Sequence, residues 1–90
     1  MGRRTRLKIY DPYPADAIEE SINKWVKHHL HRKILHYILV DGYTYEETAN
    51  LIAAETGVVY DAKKMYRTIV EAEHELFPHL KVAYPQYNKK

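Results

Sequence analysis

Apolar residues recur at intervals of three and four along most of the chain, which is the spacing of one face of an α-helix. In the first half these positions are Ile18, Ile22, Trp25, Val26, Leu30, Ile34, Tyr37 and Ile38. Because the apolar stretch that ends at Val40 is long for one helix of a small domain, we expect a break near 28–32. The pattern therefore predicts two helices, at about 14–29 and 31–40, the first with Pro14 in its opening turn.

Capping residues and glycines predict where the next helix begins and ends. Gly42 is suited to the left-handed conformation that follows a helix. The segment 44–47 (Thr-Tyr-Glu-Glu) has the capping-box pattern, in which the threonine and the last glutamate each bond a backbone N–H. A third helix is therefore expected over about 45–55, with Gly57 at its end. Its expected inward residues are Thr48, Ala49, Leu51 and Ile52.

A fourth apolar stripe follows the second of these glycines. We expect a helix from Asp61 to about Leu76, because the Phe77-Pro78 pair places a proline where it would stop the helix. The expected inward residues of this helix are Ala62, Met65, Ile69, Ala72 and Leu76. Beyond it we expect a tail that docks on the domain through Leu80, Val82 and Tyr84.

The helices predict an all-α fold, a small bundle of about four helices, in a chain of 90 residues that has no room for a second domain. We expect a basic N-terminal arm over 1–13, the helical domain over 14–78 and the tail over 79–90. The absence of cysteine excludes disulfides and thiolate metal sites. No apolar run approaches the roughly 18 residues of a membrane span, so we expect a cytoplasmic protein without a membrane partner.

The net charge of +2 conceals several blocks of cations along the chain, and two of these groups bear on function. Segregated cations can create a local positive patch even where the total charge is near zero. The alternative is that these blocks of charge lie on solvated helix faces and compensate one another. The two groups are Arg3, Arg4 and Arg6 in the arm, and Lys63, Lys64 and Arg67 at the start of the fourth helix.

The segment from Arg32 to Ala49 resembles the helix-turn-helix unit of sigma-70 region 4 and its relatives among phage and mobile-element regulators. That family has an arginine, an Ile-Leu pair, a glycine, a threonine, an acidic pair, an apolar residue and an alanine in this order. Thr48 stands where the family usually has isoleucine or valine, and Gly57 with Val58 resembles the Gly-Val of its turn. The matching residues are Arg32, Ile34, Leu35, Gly42, Thr44, Glu46, Glu47 and Ala49.

The resemblance implies that the chain binds double-stranded DNA, with the helix that follows Asp61 in the major groove. Arg67 would donate two hydrogen bonds from its guanidinium to one guanine, while Lys63 and Lys64 would contact phosphates. Phosphate or sugar contacts are further implied for Tyr60, Tyr66 and Thr44, the last at a helix N-terminus. The residues Arg3, Arg4 and Arg6 would enter an adjacent minor groove.

Each of these roles has an alternative that does not involve DNA. The cations of the fourth helix can belong to a solvated face that is paired with Glu71. The arm can be a disordered terminus. His28 and His31 have a spacing that a metal ion could use, but without cysteine a structural zinc site is improbable, and we expect surface histidines that gain charge below about pH 6.5.

Two further hypotheses concern function, and neither is an enzyme, because no catalytic motif or cofactor motif is found. The first is a protein-interaction module, suggested by the acidic residues Glu71, Glu73 and Glu75 and by the aromatic segment 84–87. The second is a phage packaging or recombination accessory protein that still binds DNA. RNA polymerase or another protein is a candidate partner of a regulator, and a homodimer stays open.

Overall fold

A computed structural model describes residue 10 and residues 12–87. These residues are 79% helical and contain no strand, which confirms the all-α prediction with four α-helices in the described part. The π-helical turn His36–Val40 continues α2, and a short 3-10 turn, Pro85–Tyr87, follows α4. The four helices are α1 (Ala15–Trp25), α2 (His29–Leu35), α3 (Tyr45–Thr56) and α4 (Ala62–Ala83).

The break between α1 and α2 lies earlier than the sequence predicts. The first helix ends at Trp25, and Val26 has an extended backbone while its side chain is fully buried. At the other end Pro14 precedes the helix instead of lying in its first turn, although its carbonyl accepts a hydrogen bond from the Ile18 N–H at 3.1 Å. Burial of Val26 therefore sets the direction of the chain before α2 begins at His29.

The predicted boundaries of α3 are confirmed. The Thr44 hydroxyl accepts a hydrogen bond from the Glu47 N–H at 3.0 Å, and the Thr44 N–H donates to the Glu47 carboxylate at 2.9 Å. Together these bonds form the predicted capping box. At the other end Gly57 has a φ of 82°, a left-handed conformation that favours glycine, and its N–H bonds the carbonyl of Ala53.

The prediction that Pro78 ends the fourth helix is wrong. The helix α4 spans 22 residues and continues through Pro78 to Ala83. A proline inside a helix removes one backbone hydrogen bond. The extra turn buries Leu80 completely, and this apolar burial offsets the lost bond. The first part of the predicted tail is therefore the last turn of α4, while Val82 points to solvent with 79% of its surface exposed.

One core joins all four helices. The prediction for α4 is confirmed for four stripe residues, whereas Ala62, the first residue of that helix, is exposed. Tyr10 and Tyr13 pack edge-on against Phe77, with ring centroids 5.4 and 6.4 Å from that of the phenylalanine. The fully or nearly fully buried helix residues include Ile18, Ile22, Ile34, Leu35, Ile38, Leu39, Ile52, Met65, Ile69, Ala72, Leu76 and Leu80.

Two histidines that the sequence places on the surface are half-buried and bind carboxylates of other segments. The His31 Nδ1 lies 2.9 Å from a carboxylate oxygen of Glu75, which links α2 to α4. The His36 Nε2 lies 3.1 Å from Glu19 in α1, and its Nδ1 lies 3.3 Å from Asp41. These two histidines connect α2 and the π-helical turn to other helices of the bundle. Their side of α2 and of the turn is therefore not a freely solvated face.

Candidate nucleic-acid interface

The first two turns of α4 carry three exposed cations, Lys63, Lys64 and Arg67. The helix begins at Asp61, whose carboxylate accepts a hydrogen bond from the Lys64 N–H at 2.7 Å. Residues four apart lie on the same side of a helix, so Lys63 and Arg67 extend from one side of α4. None of the ion pairs between described residues involves these cations, and the alternative pairing with Glu71 is not formed.

Two tyrosines flank these cations on different sides. Tyr60 is half-buried in the turn before α4, and the Lys64 ammonium lies 5.5 Å from the centroid of its ring. This is the distance of a cation–π contact, which holds the lysine near the start of the helix. Tyr66 is 61% exposed, an unusual degree of exposure for a large aromatic side chain. Both predicted tyrosines therefore lie beside the cationic part of α4.

Thr44 has a different environment from the other predicted contacts. Both its hydroxyl and its N–H are engaged by Glu47, as described for the capping box. The carboxylates of Glu46 and Glu47 also occupy the first turn of α3 and repel an anion there. We conclude that Thr44 is a poor ligand for a DNA phosphate. The predicted minor-groove residues Arg3, Arg4 and Arg6 lie outside the described residues.

The acidic residues of α4 do not form one continuous exposed face. Glu71 is exposed, but Glu73 is half-buried and Glu75 is half-buried and bound to His31. Burial raises the pKa of the Glu73 carboxyl to about 7. Its charge in turn raises the pKa of Tyr45, although burial of that phenol is the larger cause. Sequence periodicity did not separate Glu73 from Glu71, because the surface that covers Glu73 comes from elsewhere in the chain.

No protein-family model, curated protein or solved structure matches this chain. The resemblance of the segment 32–49 to sigma-70 region 4 therefore depends on the residues of that segment alone. The assignment of function depends on the chain's own side chains, above all on the cations of α4.

The described residues form neither a metal site nor a membrane-spanning helix. In that part of the chain no three histidine or acidic side chains lie close enough together to hold a metal ion. None of its helices is both long and apolar enough to cross a membrane.

The half-buried carboxyl of Glu73 predicts a pH-dependent cost to stability. The pKa of Glu73 in the folded chain is about 7, above the ordinary value of 4.5, so the folded state holds a proton on this carboxyl more tightly than the unfolded state does. The free energy of unfolding therefore falls as the pH rises through about 7. Replacing Glu73 by glutamine is expected to raise the free energy of unfolding by about 1 kcal/mol at about pH 8, after allowing for its partial exposure.

Urea unfolding of the wild type and the E73Q variant at about pH 8 and about pH 4 measures this effect. At the lower pH both side chains are neutral, and the two proteins should have nearly equal stability. The matched control is E71Q, which changes an exposed carboxylate two residues away on the same helix. Equal effects of E73Q and E71Q at about pH 8 would contradict the assignment of the effect to burial.

Proposed function

We propose that the chain binds double-stranded DNA in a sequence-specific manner, with the start of α4 in the major groove, and that this binding regulates transcription. The observation that carries the proposal is the exposure of Lys63, Lys64 and Arg67, free of ion pairs with other described residues, at the beginning of a helix. That helix follows a capped helix and the short turn 57–61, which is the order of parts in helix-turn-helix proteins.

The three cations have different roles in this proposal. Arg67 lies nearly two turns into α4, and its planar guanidinium can bond the O6 and N7 atoms of one guanine. Lys63 and Lys64 lie in the first turn and contact phosphates, which fixes the position of the helix in the groove. Tyr66, being largely exposed, adds a hydroxyl for a phosphate or sugar contact.

The distribution of charge along α4 supports the use of its first turns. The Asp61 carboxylate caps the N-terminus of α4 and offsets the partial positive charge of the helix there, so the attraction for phosphate comes from Lys63, Lys64 and Arg67. Glu71 follows one turn after Arg67 and limits the positive patch to the beginning of the helix. We expect the contact with DNA to be short and to end before the middle of α4.

The internal use of two acidic residues favours this proposal over a protein-interaction module. That hypothesis needs Glu71, Glu73 and Glu75 as a common exposed face, but Glu75 is bound to His31 and Glu73 is half-buried. In the aromatic segment, the Tyr84 hydroxyl donates to Glu20 of α1 at 2.8 Å. These side chains thus hold the bundle together and are less available to a partner.

Fluorescence anisotropy with a mixed-sequence DNA duplex at about 50 mM and about 200 mM salt tests DNA binding as such, since phosphate contacts release counterions. We expect binding at the lower salt concentration that weakens steeply at the higher one. Absence of binding at about 50 mM salt would overturn the proposal, and the protein-interaction module would become the leading hypothesis.

Substitutions in α4 then test the roles of the cations on a selected duplex. Arg67→Ala is expected to weaken specific binding about 5- to 150-fold and to reduce discrimination at one base pair, as loss of a bidentate guanine contact does. Lys63→Ala should weaken binding to all sequences alike and lower the salt dependence by about one counterion. Lys81→Ala, an exposed lysine near the end of the same helix, is the control, and a loss equal to that of Arg67→Ala would refute the base contact.

A further inference from the structure

A cleft of about 410 Å³ opens between α3 and the start of α4. Its base is apolar, because Met65 is buried and Ala49 is half-buried. Tyr45 and Tyr60 also line the cleft, and both tyrosines are half-buried. Its exposed rim carries polar and small residues, namely Glu46, Asn50, Asp61 and Ala62.

The charge of this cleft is opposite to that of the neighbouring surface of α4. Glu46 and Asp61 are the charged residues among those that line it, and both are negative. Glu46 forms no ion pair with another described residue. Asp61 accepts one hydrogen bond from the Lys64 backbone, and its carboxylate retains its charge and further lone pairs. Both charged residues that line the cleft are therefore negative, while the nearby Lys64 lies beside one of its tyrosines.

The aromatic rings give the cleft a second feature that favours cations. A cation is attracted to the face of a tyrosine ring within about 6 Å of its centroid. Tyr60 already has one such contact, because the Lys64 ammonium lies 5.5 Å from its ring, although Lys64 does not line the cleft. Tyr45 and Tyr60 thus line the same space as two carboxylates, those of Glu46 and Asp61.

We propose that this cleft binds a guanidinium or alkylammonium group. Two tyrosine rings and two carboxylates around one partly enclosed space are the groups that recognise an organic cation, through cation–π attraction and charge-assisted hydrogen bonds. The apolar base formed by Met65 and Ala49 takes the aliphatic carbons of such a ligand. The Asn50 amide on the rim supplies an additional hydrogen-bonding group.

A second acidic surface of the chain separates this proposal from a general attraction of cations. On α1, Asp16, Glu19 and Glu20 line a shallow depression together with Lys24, without any aromatic ring. Simple charge attraction would draw an organic cation to this depression as strongly as to the cleft. Recognition by rings and carboxylates together favours the cleft, so the depression is an internal control.

The proposal is tested by a titration of the full chain with L-argininamide, followed by the shifts of backbone amide signals in two-dimensional NMR spectra. L-citrullinamide is the control ligand, because it keeps the α-amino group of L-argininamide and replaces the guanidinium by a neutral urea of nearly the same shape. We expect saturable shifts for the amides of α3 and α4 that border the cleft, and binding at least about tenfold weaker for L-citrullinamide. Equal shifts with both ligands, or shifts confined to the depression on α1, would overturn the proposal.

Variants assign the binding to the rim of the cleft. Glu46→Gln is expected to weaken L-argininamide binding about two- to fivefold, the range for loss of an exposed charge pair, and Asp61→Asn likewise, while an asparagine still caps α4. The matched control is Asp16→Asn, an exposed carboxylate in the depression on α1, which should leave the affinity unchanged. An equal loss with Asp16→Asn would show an effect of net charge and refute the site.

The cation can come from another molecule or from the chain itself, and a third variant distinguishes these sources. The basic segment near the N-terminus contains Arg3, Arg4 and Arg6. Stronger binding of free L-argininamide by the R3Q/R4Q/R6Q variant would assign these arginines as competitors for the cleft, whereas unchanged binding would assign an external cation. The site does not depend on DNA binding, so its outcome and that of the proposed function are measured separately.

Discussion

Replacing Leu80 by alanine is expected to lower the free energy of unfolding by about 2–5 kcal/mol, the range for a leucine truncated in a protein core. Leu80 has no exposed surface, although it lies in the part of α4 beyond Pro78. Its burial joins the last turn of the helix to the core and offsets the hydrogen bond that the proline removes. Urea unfolding followed by circular dichroism measures the loss.

The control for this substitution lies two residues further along the same helical turn. Val82 is 79% exposed, so Val82→Ala should change the free energy of unfolding by no more than about 0.5 kcal/mol. Small and equal effects of the two substitutions would mean that residues beyond Pro78 do not pack on the bundle. A large effect of Val82→Ala would instead mean that the side of the last turn that carries Val82 packs against the core.

Replacing Thr48 by valine is expected to raise the free energy of unfolding by about 1–2 kcal/mol. Thr48 is completely buried in α3, and its hydroxyl oxygen has no hydrogen-bond partner among the described residues. Valine has nearly the same shape and carries no polar atom that must lose its water on folding. The change therefore brings an apolar residue to a place that the bundle buries.

The same chemical change four residues earlier should have the opposite sign. Thr44→Val removes the hydroxyl that accepts the Glu47 N–H and is expected to lower the free energy of unfolding by about 1 kcal/mol. Both variants replace a threonine of the α3 region by valine, and they therefore have equal effects on composition and charge. A destabilising effect of Thr48→Val would indicate that its hydroxyl has a partner in solution, such as a bound water.

The proposed cation cleft and the cations of α4 meet at the turn between α3 and α4. Asp61 lines the cleft and also caps the helix that carries Lys63 and Arg67. In the two proposals the carboxylates at this turn would attract an organic cation and the lysines that follow Asp61 would attract phosphates.

The sequence by itself determined the beginnings of α3 and α4 and the end of α3. Thr44 and Asp61 cap their helices through bonds to residues three positions away, and Gly57 ends α3 through its own backbone conformation. These rules act within one turn of a helix, so they operate in the same way wherever the helix lies. The exposure of Lys63 and Arg67 also followed from periodicity, because the apolar stripe of α4 fixes the opposite face.

Tertiary structure alone decided the features that depend on residues far apart in the chain. His31 binds Glu75 across 44 positions, and this contact removed one acid from the face that the sequence suggested. Glu73 is covered by the packing of the bundle, which raises the pKa of its carboxyl, and Pro78 remains inside α4 because Leu80 is buried beyond it. Local patterns cannot fix such outcomes, since burial depends on which surfaces meet, and packing free energy can exceed the local cost of a proline.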